Sequence, residues 1–197
     1  MTLKALMVDV DGVIIRHPAG QRWDARLVED LGIDPLALQE RFFRVHFDEV
    51  TAGRADLFDR LALVLPELGP VTGRELVDYW FSHDATLDAQ LLADLADARA
   101  GGMQLHLATV QDPNRARYLW TELKLAEHFH AMHYSADVGY GKTDPGFYRV
   151  VESRTQLPAG GHCLIDDSLA NVEAARSQGW QAHLWTTDSR LADVLQP

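Results

Sequence analysis

The chain has 197 residues, of which 47% are hydrophobic and 24% charged, as in a soluble globular protein with one large domain or a domain carrying an insert. Its 18 basic and 29 acidic side chains give a net charge of −11, which argues against a broad nucleic-acid-binding surface. The single cysteine, Cys163, excludes an internal disulfide and fits a reducing compartment. No segment reaches membrane-spanning length, and we find no signal-peptide pattern, so we expect a cytoplasmic protein without membrane contact.

The first predicted strand, Leu6–Val8, is an apolar run followed by two carboxylates, Asp9 and Asp11. Residues two apart in a strand project to the same side, and Gly12 then lets the chain leave the sheet. Two ionised carboxylates placed in this way repel each other and lose hydration. A cation, a shared proton or several backbone N–H donors would offset that cost, and a divalent metal is the strongest of these. An ordinary Asp-Gly turn gives the same short pattern, so the motif alone leaves both readings open.

The second predicted strand, Met103–Thr109, begins much farther along the chain than one parallel crossover requires. A helix that begins around Thr86 is the expected crossover helix, and about residues 16 to 85 form an insert. Four helices are predicted in the insert, two of them with start signals at Asp34-Pro35 and in a capping box at Thr72–Glu75. Their expected inward faces are Trp23, Leu27 and Leu31; Leu38, Phe42 and Val45; Leu57, Leu61, Val64 and Leu68; and Leu76 and Trp80.

From Met103 onward, strands and helices alternate. Further strands are predicted at 131–135, 162–165 and 181–185, and helices open at Asp112-Pro113, at Asp144-Pro145 and after Ser168. This order predicts an α/β fold, a Rossmann-like and mainly parallel sheet flanked by helices on both faces. The core would comprise residues 1–15 and 86–197, and the insert at 16–85 would be a small α-helical cap.

Polar residues follow four of the predicted strands. Because ligands bind outside the carboxyl ends of the strands in such sheets, these residues should converge on one edge. They are Asp9 and Asp11, Thr109, Lys142, and the pair Asp166 and Asp167. Independent turns would not be expected to converge in this way, so the convergence favours a functional site.

With these residues in place, the chain resembles the haloacid dehalogenase (HAD) superfamily over nearly its whole length. Four segments look like the four motifs of that superfamily, in order: Asp9-Val10-Asp11-Gly12-Val13, Ala108-Thr109, Gly141-Lys142-Thr143-Asp144-Pro145, and Ile165-Asp166-Asp167-Ser168-Leu169-Ala170-Asn171. The insert between the first two motifs resembles the C1 cap of subfamily I. The resemblance implies Mg²⁺-dependent phosphoryl transfer through an aspartyl-phosphate.

The resemblance also implies roles for single residues. Asp9 would be the nucleophile, and Asp11 would protonate the leaving group and then activate water. An oxygen of Asp9, the backbone carbonyl of Asp11 and the carboxylate of Asp167 would hold Mg²⁺. Asp166 is also a candidate for the metal site, with the assigned role of orienting water or Lys142.

The remaining implied roles concern the phosphate. Lys142 would neutralise charge near Asp9 and the phosphate, and Asp11 would also contact the phosphate. Thr109, with neighbouring backbone N–H groups, and the N–H groups around Gly12 would hold the phosphate oxygens. Val110 stands where many relatives have Asn and Thr143 where many have Pro; Val110 is expected to alter a contact to the phosphate or substrate.

The expected function is therefore a phosphatase acting on a small phosphorylated metabolite. A phosphomutase, a 2-haloacid dehalogenase and a non-catalytic binding protein on the same scaffold remain alternatives. Dehalogenases of the superfamily typically carry Tyr at the position of Asp11, so Asp11 favours phosphate chemistry. Outside the motifs, Arg115 and Arg117 and the group His128, His130 and His133 are expected to be solvated. The sequence leaves the oligomeric state open.

Overall fold

A parallel five-stranded sheet forms the centre of the molecule in a computed structural model that describes residues 3–17 and 22–195. The strands lie in the order β3-β2-β1-β4-β5. They are β1 (Ala5–Val8), β2 (Gln104–Thr109), β3 (Ala131–Tyr134), β4 (His162–Asp166) and β5 (Gln181–Leu184). Every pairing is parallel, and β1 lies between β2 and β4, so that Val8 is in register with both Leu107 and Ile165.

Both faces of the sheet are buried, which explains why its strands are nearly continuous apolar runs. Along β1, Leu6 and Val8 belong to one apolar cluster, and Ala5 and Met7 belong to the cluster on the opposite face. The expectation of an α/β fold with a parallel sheet between helical layers is confirmed.

Helices of at least four residues connect and flank the strands. In the region between β1 and β2 they are α1 (Leu27–Leu31), α2 (Pro35–Leu38), α3 (Arg44–Thr51), α4 (Leu57–Leu68), α5 (Gly73–His83) and α6 (Ala89–Ala100), with a π-helical segment Gln39–Phe43 joining α2 to α3. After β2 they are α7 (Pro113–Thr121), α8 (Ser135–Val138), α9 (Pro145–Thr155), α10 (Leu169–Ser177) and α11 (Leu191–Val194). No helix among these described residues is long and apolar enough to cross a membrane.

The helices α1 to α5 share an apolar cluster of their own, which includes Leu27, Phe42, Leu61 and Trp80. Two chain segments join this helical unit to the sheet, and they run side by side where Ile15 forms an antiparallel bridge with Leu87. The expected boundaries of the insert, residues 16 and 85, lie in these two segments and stay a prediction.

One expectation about these helices is wrong. Val45 was expected to face inward but is exposed, because the π-helical turns before it advance the chain by an extra residue and rotate the face that follows. Val50 is buried in its place. The crossover helix expected to begin around Thr86 is present and begins at Ala89, with Asp88 as its N-cap.

Most helix starts follow the sequence signals. Asp34, Asp112 and Asp144 cap their helices with Pro in the first turn, and Thr72 forms the expected capping box. Ser168 precedes α10 as expected, but its side chain makes no cap hydrogen bond. The carboxylate of Asp166 reaches forward and accepts the Ser168 N–H instead.

Candidate active site

The adjacent strands β1, β2 and β4 are parallel, so their carboxyl ends meet at one edge of the sheet. Asp9 follows β1, Thr109 ends β2 and Asp166 ends β4. Lys142 comes to the same edge from the segment between α8 and α9. The structure therefore brings residues of all four motifs together.

Lys142 is the central cation of this group. Its side chain is 2% exposed, and its Nζ lies 2.7 Å from Asp9 Oδ1 and 2.6 Å from Asp166 Oδ2. A third hydrogen bond, 3.1 Å long, goes to the carbonyl of Ala108, so all three ammonium protons have an acceptor. Burial by itself would lower the pKa of Lys142, but the two carboxylates outweigh burial and raise it, which keeps the ammonium charged.

Asp9 is buried and its charge is only partly compensated. Burial raises the pKa of Asp9 to about 7, with Lys142 acting in the opposite direction and Asp166 raising it further. Oδ1 accepts the Val10 N–H at 2.8 Å and faces Lys142, whereas Oδ2 makes no hydrogen bond to the described residues. Lys142 alone does not restore the usual acidity of this carboxyl, and a second cation at Oδ2 would do so.

Asp166 and Asp167 are adjacent in sequence but differ in burial and in their contacts. Asp166 is fully buried and uses both oxygens: Oδ2 accepts from Lys142, and Oδ1 accepts from the Ser168 N–H and from Asn171 Nδ2 at 3.0 Å. It is therefore placed to orient Lys142, which is one of the two tasks expected of it. Asp167 is exposed at the mouth of the site.

The three carboxylates fit a divalent cation. One oxygen each of Asp9, Asp166 and Asp167 lie within 4.8 Å of one another. Gly12 lets the Asp167 carboxylate approach, since a Cβ at position 12 would lie 2.1 Å from Asp167 Oδ2. Hard oxygen donors of this kind suit Mg²⁺. Because Asp166 is fully engaged, Asp9 and Asp167 are the side chains best able to hold it.

Asp11 lies at the solvent side of Asp9, and its Oδ2 accepts a 2.5 Å hydrogen bond from Gln111 Nε2. Loss of surrounding solvent is the largest cause that raises the pKa of Asp11, and Arg115 is the strongest group opposing it. A raised pKa suits a carboxyl that must carry a proton to a leaving group. The residue keeps an open face to solvent, as a group that meets substrate must.

The expected phosphate contacts are only partly available. The Thr109 side chain is buried at the site, and Val110 is exposed beside it. The Gly12 N–H donates to the carbonyl of Ile15 at 3.0 Å, so it could hold phosphate only if that bond opened. The Asp11 N–H makes no hydrogen bond to the described part of the chain and is the free donor of this turn.

Sequence reasoning missed two residues near the site. Gln111 is buried, and its amide contacts both Asp11 and, at 3.4 Å, Thr109 Oγ1. Gln111 stands two residues beyond a buried strand, and this position is the sequence feature that could have placed it at the site. Arg115 was expected to be solvated and is 1% exposed: it donates to the carbonyl of Phe81 at 3.2 Å and lies 3.2 Å from Asp84 Oδ2. It is buried because α7 packs against the end of α5.

The histidine group was also assigned wrongly in part. His133 lies in β3, is buried, and its Nε2 is 3.2 Å from Nδ1 of buried His106. His130 is exposed as expected, and His128 is partly buried. The described residues bring no three histidines together as a metal site.

Comparison with solved structures shows that the fold of the chain is similar to that of HAD proteins. The HAD family enzyme BT-2542 from Bacteroides thetaiotaomicron, as a variant in complex with magnesium and inorganic phosphate, has a TM-score of 0.83 at 14% identity over 99% of this chain and 100% of that one. The magnesium-bound HAD-hydrolase YfnB from Bacillus subtilis has a TM-score of 0.65 at 20% identity over 96% and 90%. A dehalogenase has a TM-score of 0.69 at 15% identity over 95% and 87%.

By sequence, no protein-family model and no curated protein matches the chain. The structural likeness at these identities concerns the fold, and it extends through both the sheet and the inserted helices because nearly the whole chain is covered. The chain therefore has the fold of the haloacid dehalogenase superfamily.

Proposed function

We propose that the protein is a Mg²⁺-dependent phosphohydrolase that acts on a small phosphorylated metabolite. The observation that carries the proposal is the buried Lys142 between Asp9 and Asp166, with Asp167 close enough to share a cation with Asp9. Magnesium and inorganic phosphate are bound together by a protein of the same fold, which supports this reading.

Asp9 is the nucleophile in this proposal. A carboxylate oxygen of Asp9 forms a bond to phosphorus as the bond from phosphorus to the leaving oxygen breaks, which gives an acyl phosphate on Asp9 and releases the alcohol. Oδ1 is held by Lys142 and the Val10 N–H, so Oδ2 is the oxygen free to attack or to meet the cation.

Asp11 moves the proton in both halves of the reaction. Its carboxyl first gives a proton to the leaving oxygen and becomes a carboxylate. The carboxylate then takes a proton from the water that attacks the acyl phosphate, and inorganic phosphate leaves as Asp9 is restored. Gln111 holds one oxygen of Asp11 and leaves the other for this transfer.

The residues that would hold Mg²⁺ are Asp9, Asp167 and the backbone carbonyl of Asp11. When bound, the ion supplies the positive charge that offsets repulsion between the Asp9 carboxylate and an anionic phosphate. Lys142 adds a positive charge at Oδ1 of Asp9 and stays charged because two carboxylates surround it. Local positive charge of this kind is what a chain of net charge −11 needs in order to bind an anion.

The helical insert limits the size of the substrate. It contacts the core beside the site at two places, through Asp84 and Arg115 and through Thr51 and Ser135. Side chains of the insert would exclude bulk water and select the leaving group. We therefore expect small phosphomonoesters to be turned over in preference to phosphorylated proteins.

Halide release is the second candidate, because one structure of this fold is a dehalogenase. Displacement of halide by a carboxylate needs neither a proton donor nor a metal. An acid at position 11 that is held by Gln111, and a second carboxylate at position 167, therefore favour phosphate chemistry.

A panel of small phosphomonoesters, assayed with Mg²⁺ and with EDTA, tests the proposal. We expect phosphate release that depends on Mg²⁺, disappears in Asp9→Asn and persists in Asp97→Asn, which alters an exposed carboxylate on α6. Halide release from 2-chloropropionate should be absent. Halide release without phosphate release would contradict the proposal, and so would phosphate release that survives in Asp9→Asn.

A further inference from the structure

Gln111 connects the acid of the site to the contact between the helical insert and the core. Its side chain is buried, and its Nε2 lies 2.5 Å from Asp11 Oδ2 and 3.4 Å from Thr109 Oγ1. An amide N–H that donates to Oδ2 fixes the plane of the Asp11 carboxyl and leaves Oδ1 to carry the transferable proton. The backbone position of Gln111 determines whether this amide can contact Asp11.

Ser135 fixes that backbone position. The N–H of Gln111 donates to Ser135 Oγ at 3.0 Å, and the carbonyl of Gln111 accepts the Ala136 N–H at 3.4 Å. Ser135 is buried, so these bonds are shielded from water. Residue 111 lies just beyond the end of β2, where the strand ladder no longer holds the chain.

The same hydroxyl reaches the helical insert. Ser135 Oγ donates a 2.6 Å hydrogen bond to the carbonyl of Thr51, the last residue of α3. Carbonyls at the end of a helix lack an intrahelical donor, so this bond supplies a missing partner. The insert approaches closely here: a Cβ at Gly53, whose φ is +71°, would lie 2.9 Å from the carbonyl oxygen of Ala136.

We propose that Gln111 is a positioning residue that orients the Asp11 carboxyl, and that Ser135 makes this orientation depend on contact between the insert and the core at Thr51. This inference rests on the proposed phosphohydrolase activity. When Thr51 lies against Ser135, Gln111 is held where its amide meets Asp11. When the insert moves away, Ser135 Oγ loses the Thr51 carbonyl and keeps only the Gln111 carbonyl, 3.3 Å away, as an acceptor, so Ser135 and Gln111 shift together relative to Asp11.

Two aryl phosphates separate this role from general damage. Phenol is a weaker acid than p-nitrophenol, so the departure of phenolate depends more on a proton from Asp11. In saturating Mg²⁺, kcat/KM is measured for phenyl phosphate and p-nitrophenyl phosphate, and the ratio of the two values reports proton donation. Asp11→Asn gives the reference ratio for a site without the acid.

For Gln111→Met, which keeps the length of the side chain and removes the donor, we expect kcat/KM for phenyl phosphate to fall about tenfold or more. The fall for p-nitrophenyl phosphate should be several-fold smaller. Ser135→Ala should shift the ratio in the same direction, and adding it to Gln111→Met should shift the ratio no further, because both changes act through one chain of contacts. Gln90→Met, on the exposed side of α6, is the matched control and should leave the ratio unchanged.

Equal losses for both substrates in Gln111→Met, or additive effects in the double variant, would overturn the inference. If Gln111→Met does not fold, Ser135→Ala decides: a wild-type ratio overturns the inference, and a shift towards that of Asp11→Asn supports it. A wild-type enzyme without Mg²⁺-dependent turnover overturns both proposals. Turnover that is lost in Asp9→Asn, with an unchanged ratio in the Gln111 and Ser135 variants, overturns this inference alone.

Discussion

Lys142 stabilises two buried carboxylates that would otherwise repel each other. Its Nζ lies within 2.7 Å of both Asp9 and Asp166, and little water reaches the three groups. Opposite charges attract strongly in such surroundings, whereas an unpaired buried charge is costly. The ammonium group therefore opposes the rise in the pKa of Asp9 and, in the proposed mechanism, also neutralises charge on the phosphate.

Replacing Lys142 with Met tests this role. Without the ammonium group, Asp9 and Asp166 lose their shared cation, and Asp9 should retain a proton. We expect kcat/KM for phosphomonoesters to fall about 100-fold or more. Lys4→Met, at an exposed position before β1, is the matched control and should behave like the wild type. Retention of near-wild-type turnover in Lys142→Met would contradict the assigned role.

A pair of buried histidines should make stability depend on pH. Burial is the largest cause that lowers the pKa of both His106 and His133, each to about 4. If His106 Nε2 donates to Gln104, then His106 Nδ1 accepts from His133 Nε2, and His133 Nδ1 has no partner among the described residues. The folded protein therefore favours both rings in their neutral form.

The sign of this effect follows from where protons bind. Below a pH of about 6.5 the two histidines become protonated in the unfolded chain but stay neutral in the folded chain. The free energy of unfolding therefore falls as the pH drops towards about 4. The loss is roughly 3 kcal/mol for each ring at the low end. In urea titrations at pH 7 and pH 5, His133→Phe should lose less stability between the two pH values than the wild type. An equal loss in both proteins would contradict this account.

At the scale of elements, α7 joins the sheet to the helical insert through a buried arginine. The Arg115 guanidinium contacts Asp84 and two backbone carbonyls at the end of α5, and it lies 5.0 Å from the ring centroid of Phe81. Asp84 also bonds His17 at 2.6 Å, so both chain segments that lead to the insert meet at this cluster. The cluster therefore fixes how the insert attaches to the core.

Arg115→Met should destabilise the protein by roughly 3 kcal/mol, because it leaves Asp84 and the carbonyls without their donor in a buried place. Arg117→Met, two residues along the same helix but exposed, should change stability by less than about 0.5 kcal/mol. Urea denaturation of both variants measures the difference. Equal effects would show that burial of Arg115 contributes nothing.

The convergence of the polar residues was predictable because the carboxyl ends of parallel strands meet at one edge of a sheet. Asp9, Lys142 and Asp166 meet as expected for that reason. Burial of Arg115 was not predictable, because it depends on how the insert packs on α7. The exposure of Val45 depends on a π-helical segment that no periodicity reveals.

At the scale of the whole molecule, the insert contacts the core at two places, at Arg115 in the helix after β2 and at Ser135 directly after β3. The acids of the site come from the carboxyl ends of β1 and β4, strands that are distant in sequence and adjacent in the sheet. The proposed function depends on Asp9 and Asp167 binding one Mg²⁺ together at this edge.

Calorimetric titration of the full chain with MgCl₂ measures that binding directly. We expect one Mg²⁺ per wild-type chain, loss of binding in Asp167→Asn, and unchanged binding in Asp97→Asn. Magnesium at 100 times its dissociation constant should also stabilise the wild type by about 2.7 kcal/mol and leave Asp167→Asn unaffected. A wild-type chain that binds no Mg²⁺, or an Asp167→Asn variant that binds it as the wild type does, would contradict the account.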